Sequence, residues 1–302
     1  MRHQFTAQSS LFMNNPPDPF ETLISHHGRL DVIGIPAFDD NLIWLLQRHD
    51  RGSSAPHTVC VVDPGDAAPV IDYCHMHRLL PTQVLLTHHH GDHTGGVAAL
   101  VNWMRQTHPA YSVTVYGPEV EGIPTVNYPL KGAEQLMLWH DIAVEVMAVP
   151  GHTRGHLAYF LPGDADSAPP ALFSGDVLFG LGCGRLFEGT AEQMFDALTR
   201  IAQLDGATRI YCAHEYTALN LPFALSVDPT NAELLARADR IRALRQDGRA
   251  TLPLLLSEER ATNPFLRCDQ KPMVLASGVE DLARPDQVFT QLRKLRDTFK
   301  AR

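Results

Sequence analysis

The sequence predicts an α+β chain, with two stacked β-sheets covered by helices on both sides (a four-layer αββα sandwich) and then a smaller, mainly helical domain. Three observations carry this. Short apolar runs recur from Asp31 to Ala213, most of them bounded by Gly, Pro and Asp turns. Only a few stretches between them have helical period. From residue 217 the pattern changes, and amphipathic helical stretches dominate to the C-terminus. The expected divisions are an N-terminal extension over 1–29, a sandwich domain over 30–216 and a helical domain over 217–302.

At 302 residues the chain has room for one large domain or two ordinary ones. A hydrophobic content of 44% and a charged content of 20% are those of a globular protein. No apolar run reaches the roughly 20 residues of a bilayer span, and the first thirty residues lack the apolar centre of a secretory signal. No membrane partner is therefore expected. The five cysteines form an odd set without a close C-x-x-C pair, as expected of reduced thiols in a cytoplasm. A formal charge of −9 excludes nucleic-acid binding through bulk positive charge. A monomer is expected.

In chain order, residues 1–29 carry Ser, Asn and Pro without sustained periodicity and read as a flexible arm or loosely docked segment. Asp31–Pro36 and Asn41–Leu46 read as strands joined by a turn through Phe38-Asp39-Asp40. Thr58–Val62 is a third strand, stopped by Asp63-Pro64-Gly65-Asp66. A helix over 67–80 and a strand over 83–87 follow, then a helix from Gly95 to about Thr107. Further strands are expected at Ser112–Tyr116, Ile142–Val149, Leu157–Leu161, Ala171–Phe173 and Arg209–Ala213. Thr190-Ala-Glu-Gln193 is a capping box that opens a helix to about Leu204. Ala232–Gln246 and Asp286–Lys300 are the clearest C-terminal helices.

The chain is organised around Thr87-His-His-His-Gly-Asp-His93, on the turn between a buried strand and a helix. Residues two apart in an extended segment point the same way, so His88 and His90 can grip one ion. Asp92 and His93 follow a glycine and can face a second. Imidazole and carboxylate suit zinc, and also iron or manganese. Three later strands end abruptly on a ligand type: Gly151-His152-Thr153, Ser174-Gly175-Asp176 and Ala213-His214. Each alone would be an ordinary turn, and it is the dense central motif that gives them weight. Seven candidates are too many for one zinc but fit two ions that share a ligand. We assign His88, His90 and His152 to the first ion and Asp92, His93 and His214 to the second. Asp176 bridges, because a carboxylate has two oxygens.

The T-H-x-H-x-D-H stretch at 87–93 resembles the signature of the metallo-β-lactamase fold. The chain is more specifically similar to the hydroxyacylglutathione hydrolases, or glyoxalase II enzymes. The resemblance runs in order from about residue 31 to the C-terminus. It rests on Gly34–Asn41, Val62–Asp66, Gly151–His156, Phe173–Phe179, Gly182-Cys-Gly-Arg185, Ala213–Thr217 and Asn263-Pro-Phe265. It implies the seven-ligand assignment, which spacing alone leaves open.

It also implies a dinuclear site whose bridging hydroxide attacks a glutathione thioester, typically S-D-lactoylglutathione. Asp92 and Asp176 orient that nucleophile, and one metal stabilises the oxyanion. Substrate contacts are implied at Arg185, Phe187, Tyr216, Arg293 and Arg296, where guanidinium forks suit the carboxylates of glutathione. Asp63 is expected to hold a ligand histidine from behind, and His156 to be structural. Many relatives have lysine in place of Arg185, tyrosine in place of Phe187 and an aromatic in place of Leu42. The missing phenol removes one hydrogen bond, worth about 1 kcal/mol. Competing readings are a lactonase or β-lactamase of the same fold, an iron-dependent persulfide dioxygenase, a flavin-linked diiron enzyme, and a glutathione-conjugate binder without turnover.

Overall fold

Period-two alternation of side chains builds the middle of this molecule. The structure, a computed structural model, describes residues 23–27, 30–48, 57–163, 168–280 and 284–300. β1 (Leu23–His27), β2 (Leu30–Ala37), β3 (Asn41–Arg48) and β4 (His57–Val62) pair antiparallel in succession. α1 (Ala67–His77) crosses to β5 (Leu79–Leu85), and α2 (Gly91–Thr94) and α3 (Val97–Thr107) lead to β6 (Thr114–Pro118) and β7 (Tyr128–Leu130). From β4 to β7 the pairing is parallel, and the seven strands lie in sequence order.

The second sheet contains β8 (Gln135–Leu138), β9 (Ile142–Ala148), β10 (Leu157–Leu161) and β11 (Ala171–Gly175), each antiparallel to the one before. β12 (Leu178–Phe179) and β13 (Gly182–Cys183) form a separate small hairpin. After α4 (Ala191–Ala202), β14 (Arg209–Cys212) pairs parallel with β11. The C-terminal segment is helical: α5 (Thr217–Val227), α6 (Ala232–Gln246), α7 (Leu256–Thr262), α8 (Lys271–Ser277) and α9 (Pro285–Thr298). Among the described residues it also contains the strand β15 (Leu254–Leu255), which joins β14 and gives the order β15-β14-β11-β10-β9-β8.

β3 shows why the layers form. Ile43 and Leu45 enter a core shared with Val70 and Cys74 of α1 and Val97 and Leu100 of α3. Leu42, Trp44 and Leu46 enter the core between the sheets, with Tyr159, Phe173 and Tyr211. β4 divides the same way, Val59 and Val61 outward and Cys60 and Val62 inward. A strand buried on both faces must read as a continuous apolar run, and these do. The inter-sheet core continues into Leu198 of α4 and Phe289 and Leu292 of α9, which cover the second sheet. The four layers are therefore those the sequence predicts.

Several boundaries differ. The stretch expected to be an arm contributes edge strand β1, and the rest of it lies outside the described residues apart from 23–27. The helix expected over 67–80 ends at His77, because Arg78 adopts a left-handed backbone that caps it. Residues from Leu79 then form the strand expected only from 83, and Pro81 is accommodated where the β4–β5 register shifts between Val59 and Cys60. The helix expected from Gly95 begins at Val97, while Gly91–Thr94 is a separate turn of helix. β7, β8, β12, β13, β15, α5, α7 and α8 are not among the expected elements. The Thr190 capping box is present with both of its hydrogen bonds. No helix among the described residues is long and apolar enough to cross a membrane.

Candidate metal centre

Strand ends from both sheets meet at one place. Asp63 follows β4, and Thr87 to His93 follow β5. His152 lies between β9 and β10, Asp176 follows β11, and His214 follows β14. The sheets are joined there by backbone bonds, from Leu157 N to Thr87 O at 2.8 Å and from Leu42 N to Ala213 O at 2.7 Å. Trp44 Nε1 donates to Cys212 O at 3.0 Å, and the Tyr159 hydroxyl to Leu86 O at 2.6 Å. Close approach requires glycine in two places. A Cβ on Gly65 would lie 1.8 Å from Asp92 O, and one on Gly175, whose φ is +49°, would lie 2.6 Å from Thr87 Oγ1.

All seven predicted ligands converge, in two sets. In the first, His90 Nδ1 lies 3.0 Å from both His88 Nε2 and His152 Nε2, and His152 Nε2 is 3.4 Å from Asp176 Oδ2. In the second, His93 Nε2 and His214 Nε2 are each 3.4 Å from Asp176 Oδ1, and 3.7 and 3.5 Å from Asp92 Oδ2. Asp176 therefore offers one oxygen to each set. A tetrahedral ion with bonds near 2.0–2.1 Å spaces its ligands about 3.3 Å apart, so both sets fit a divalent cation. His93 Nε2 and Asp176 Oδ1 are buried and make no hydrogen bond, as donor atoms facing a cation should be.

The surrounding bonds fix which nitrogen His88, His93, His152 and His214 present, while His90 faces its set with Nδ1. Asp63 accepts from Thr87 N at 2.8 Å through Oδ1, and through Oδ2 from Thr87 Oγ1 at 2.7 Å and His93 Nδ1 at 3.0 Å. With its proton given to Asp63, Thr87 Oγ1 accepts from His88 Nδ1 at 3.0 Å. His152 Nδ1 donates to Arg185 O at 2.9 Å, and His214 Nδ1 to Asp40 Oδ1 at 2.8 Å. Each of these rings thus turns Nε2 toward its set. His156 is buried as a structural residue, its ring stacked on His88 at 4.7 Å. It acts as an acceptor, taking a bond from Asp176 N at 3.1 Å.

Without a cation, the two sets differ in charge. Burial, and after it the neighbouring imidazoles, push His88 and His90 below the ordinary histidine range. Burial also pushes His152 down, against the pull of Asp176. Burial opposes protonation of His93 as well, but Asp176 and Asp63 outweigh it and raise its pKa. For His214 burial is again outweighed, by the carboxylates of Asp176 and Asp40, and the pKa rises to about 10. Asp176 is driven well below the carboxylate range in spite of its burial, by His93, His214 and His152.

Of the expected substrate contacts, Phe187 is exposed, with its ring 5.6 Å from that of His90 and 5.2 Å from that of His152. Its backbone N–H is already committed to His152 O at 3.2 Å. Tyr216 stacks on His214 at 4.6 Å, with 6° between the planes. Arg185 is exposed. Arg296 is half-buried and donates to Asn220 Oδ1 at 3.1 Å. Burial, then the cations Arg293 and Arg185, push its pKa down. Arg293 departs from expectation. Its side chain is buried, donating to Cys183 O at 2.9 Å and Asp297 Oδ1 at 2.8 Å, beside the Phe265 ring. It braces the loop from inside and is no open carboxylate fork. Leu42 packs into the inter-sheet core.

Sequence reasoning missed Asp40, Asn41 and His89. Asp40 stands in a turn whose other aspartate, Asp39, looks equivalent. Asn41 Nδ2 donates to Asp92 Oδ2 at 3.3 Å. His89, between two ligands, instead faces Glu121 at 2.9 Å and Glu188 at 3.3 Å. All five cysteines are unpaired and buried, none in the site.

Comparison with known proteins agrees with this geometry. Residues 55–214 match the family model described as the metallo-beta-lactamase superfamily, and residues 215–299 the one described as hydroxyacylglutathione hydrolase C-terminus. A hydroxyacylglutathione hydrolase of Dechloromonas aromatica (strain RCB) is 46% identical over 89% of this chain and 100% of its own length. One from Shewanella baltica (strain OS223) is 47% identical with the same coverage. Among solved structures, the B3 metallo-beta-lactamase BLEG-1 superposes with a TM-score of 0.54 at 22% identity, over 77% of this chain and 98% of its own. At that identity the likeness is one of fold.

Proposed function

Since the chain belongs to the hydroxyacylglutathione hydrolase family of the metallo-β-lactamase superfamily, we propose that it hydrolyses S-(2-hydroxyacyl)glutathiones. The typical substrate would be S-D-lactoylglutathione, giving D-lactate and glutathione as in the second step of methylglyoxal detoxification. One observation carries the reading: two sets of donors, each of cation-binding size, that share the two oxygens of Asp176.

In this reading His88, His90, His152 and Asp176 Oδ2 hold one divalent cation, and Asp92, His93, His214 and Asp176 Oδ1 the other. Zinc suits both sets best, with iron or manganese as alternatives. The pair would supply a water of lowered pKa and Lewis acidity toward a carbonyl. Asp176, buried and anionic, would hold both cations and help orient that water. Asp92 has a side chain 43% exposed against 9% for Asp176, so it is the carboxylate that an entering water meets and can hydrogen-bond. Asp63, Asp40 and the Arg185 carbonyl keep His93, His214 and His152 turned inward. The leaving group is a thiolate, stable enough near neutral pH to depart without a strong general acid.

Arg185 and Arg296 bind the carboxylates of the glutathione part. Phe187 supports it through its ring, because the main-chain N–H at that position is taken. Tyr216 lies against the second set through its stack on His214. In this reading residues 30–216 form the catalytic part and supply Arg185, Phe187 and Tyr216 to the substrate, and 217–302 complete the glutathione site with Arg296. Protein loaded with two cations per chain should release free thiol from S-D-lactoylglutathione, followed with a thiol reagent. Full metal content without thiol release would reject the proposal. Lactone and β-lactam substrates run alongside would reveal the competing hydrolase readings.

A further inference from the structure

The hairpin β12–β13 begins two residues after Asp176 and ends two before Arg185. Its paired residues are only Leu178 with Cys183 and Phe179 with Gly182, too few to hold a shape unaided. Five consecutive residues are instead held by side chains of the C-terminal helical segment. Asn263 Nδ2 donates to Phe179 O at 3.1 Å and to Gly182 O at 3.0 Å. Asn220 Nδ2 donates to Gly180 O at 3.0 Å. Glu259 Oε2 accepts from Leu181 N at 3.0 Å, and Arg293 donates to Cys183 O at 2.9 Å. Asn220, Glu259, Asn263 and Arg293 are all buried, where an unmet backbone group is costly and a met one is fixed.

Both ends of this loop belong to the metal centre. At one end is Asp176, shared by both sets. At the other is Arg185, whose carbonyl holds His152 Nδ1 at 2.9 Å. The ends are drawn together by Gly184 N donating to Val177 O at 3.2 Å, and a Cβ on Gly184 would lie 1.9 Å from Asp176 O. Metal–ligand distances tolerate about 0.2 Å, so a small shift of the loop would open both sets at once.

We propose that Asn220 and Asn263 are positioning residues for the metal centre, which set Asp176 and His152 through the carbonyls of Phe179, Gly180 and Gly182. The inference rests on the cation-binding reading of the seven ligands. It gives the C-terminal segment a second task beside holding the substrate. Asn220 can be tested cleanly, because its two amide atoms do different work. Oδ1 accepts from Arg296 at 3.1 Å, while Nδ2 holds the loop. Asn220→Asp keeps the acceptor and loses the donor.

The full-length protein, stripped of metal, is titrated with Co2+ against a chelator and followed by visible absorption. Asn220→Asp and Asn263→Ser are expected to weaken Co2+ binding about tenfold and to shift the absorption band. Leu45→Ala, which weakens a core cluster that contains no residue of the loop, serves as the stability control and is expected to lower the unfolding midpoint without changing the Co2+ curve. Superposition of both asparagine variants on the wild-type titration overturns the inference, as does an equal loss of affinity in Leu45→Ala. A wild-type protein that takes up no Co2+ would overturn the cation-binding reading itself, and this inference with it.

Discussion

Asp40 Oδ1 receives the Nδ1 proton of His214 at 2.8 Å, a contact between residues 174 positions apart in the chain. Asp40 closes the turn between β2 and β3, and His214 follows β14, so one hydrogen bond ties the two sheets together and orients a ligand. Asp40→Asn keeps the size of the side chain but removes its charge. We predict about a tenfold loss of affinity for one of two cations, at the low end of what such partners contribute. Metal titration should show one weakened and one unchanged site.

Asp176→Ala removes a donor from both sets together. The expected result is a fall in metal content and in thioesterase activity in parallel, measured by elemental analysis and thiol release on the same samples. Full activity at unchanged stoichiometry would show that Asp176 is not the shared ligand.

Arg296 and Arg293 lie three residues apart on α9 and should respond differently. Arg296→Ala is expected to raise KM about tenfold with kcat little changed, since a charge-assisted bond to substrate contributes roughly 1.5–3 kcal/mol. Arg293→Ala should act on stability, lowering the unfolding free energy read from urea curves by about 1–3 kcal/mol through the unmet Cys183 carbonyl. Initial-rate kinetics and unfolding curves for the pair separate the two roles.

Metal uptake should depend on pH unequally. In the metal-free protein His88, His90 and His152 are pushed toward neutrality, whereas His93 is raised and His214 titrates at about 10. A cation binds neutral imidazole and must expel any proton it meets. The affinity of the first set should therefore be flat from neutral pH upward, and that of the second should climb as pH rises toward about 10. Calorimetry in buffers of different protonation enthalpy should register proton release for one cation only. Equal release for both would contradict the assignment of charge.

The candidate ligands were legible because His88 to His93 are densely spaced after a strand, and His152 and Asp176 each follow a strand and a glycine. Asp63 was legible because it follows a strand at a turn. Asp40 was not, since which of two adjacent aspartates faces a histidine is decided by the register of β2 on β3, a relation no local pattern encodes. Asn220 and Arg293 were hidden differently. They act on backbone groups, which no local pattern encodes, and the sequence assigned Arg293 to substrate and not to bracing a loop. Among the elements, Pro81 disguised the first half of β5. α5 contains Pro222 and lacks a clear polar stripe, so its period is weak. β8 is a four-residue edge strand, too short to stand out.

The seven donors divide by origin, His88, His90, Asp92 and His93 from one sheet and His152, Asp176 and His214 from the other. An ion seated there is thus a staple through the sandwich as well as a reagent. Heat tolerance would follow mineral supply, rising with the logarithm of free ion above its dissociation constant, and starvation for the ion would shorten the working life of the protein along with its turnover.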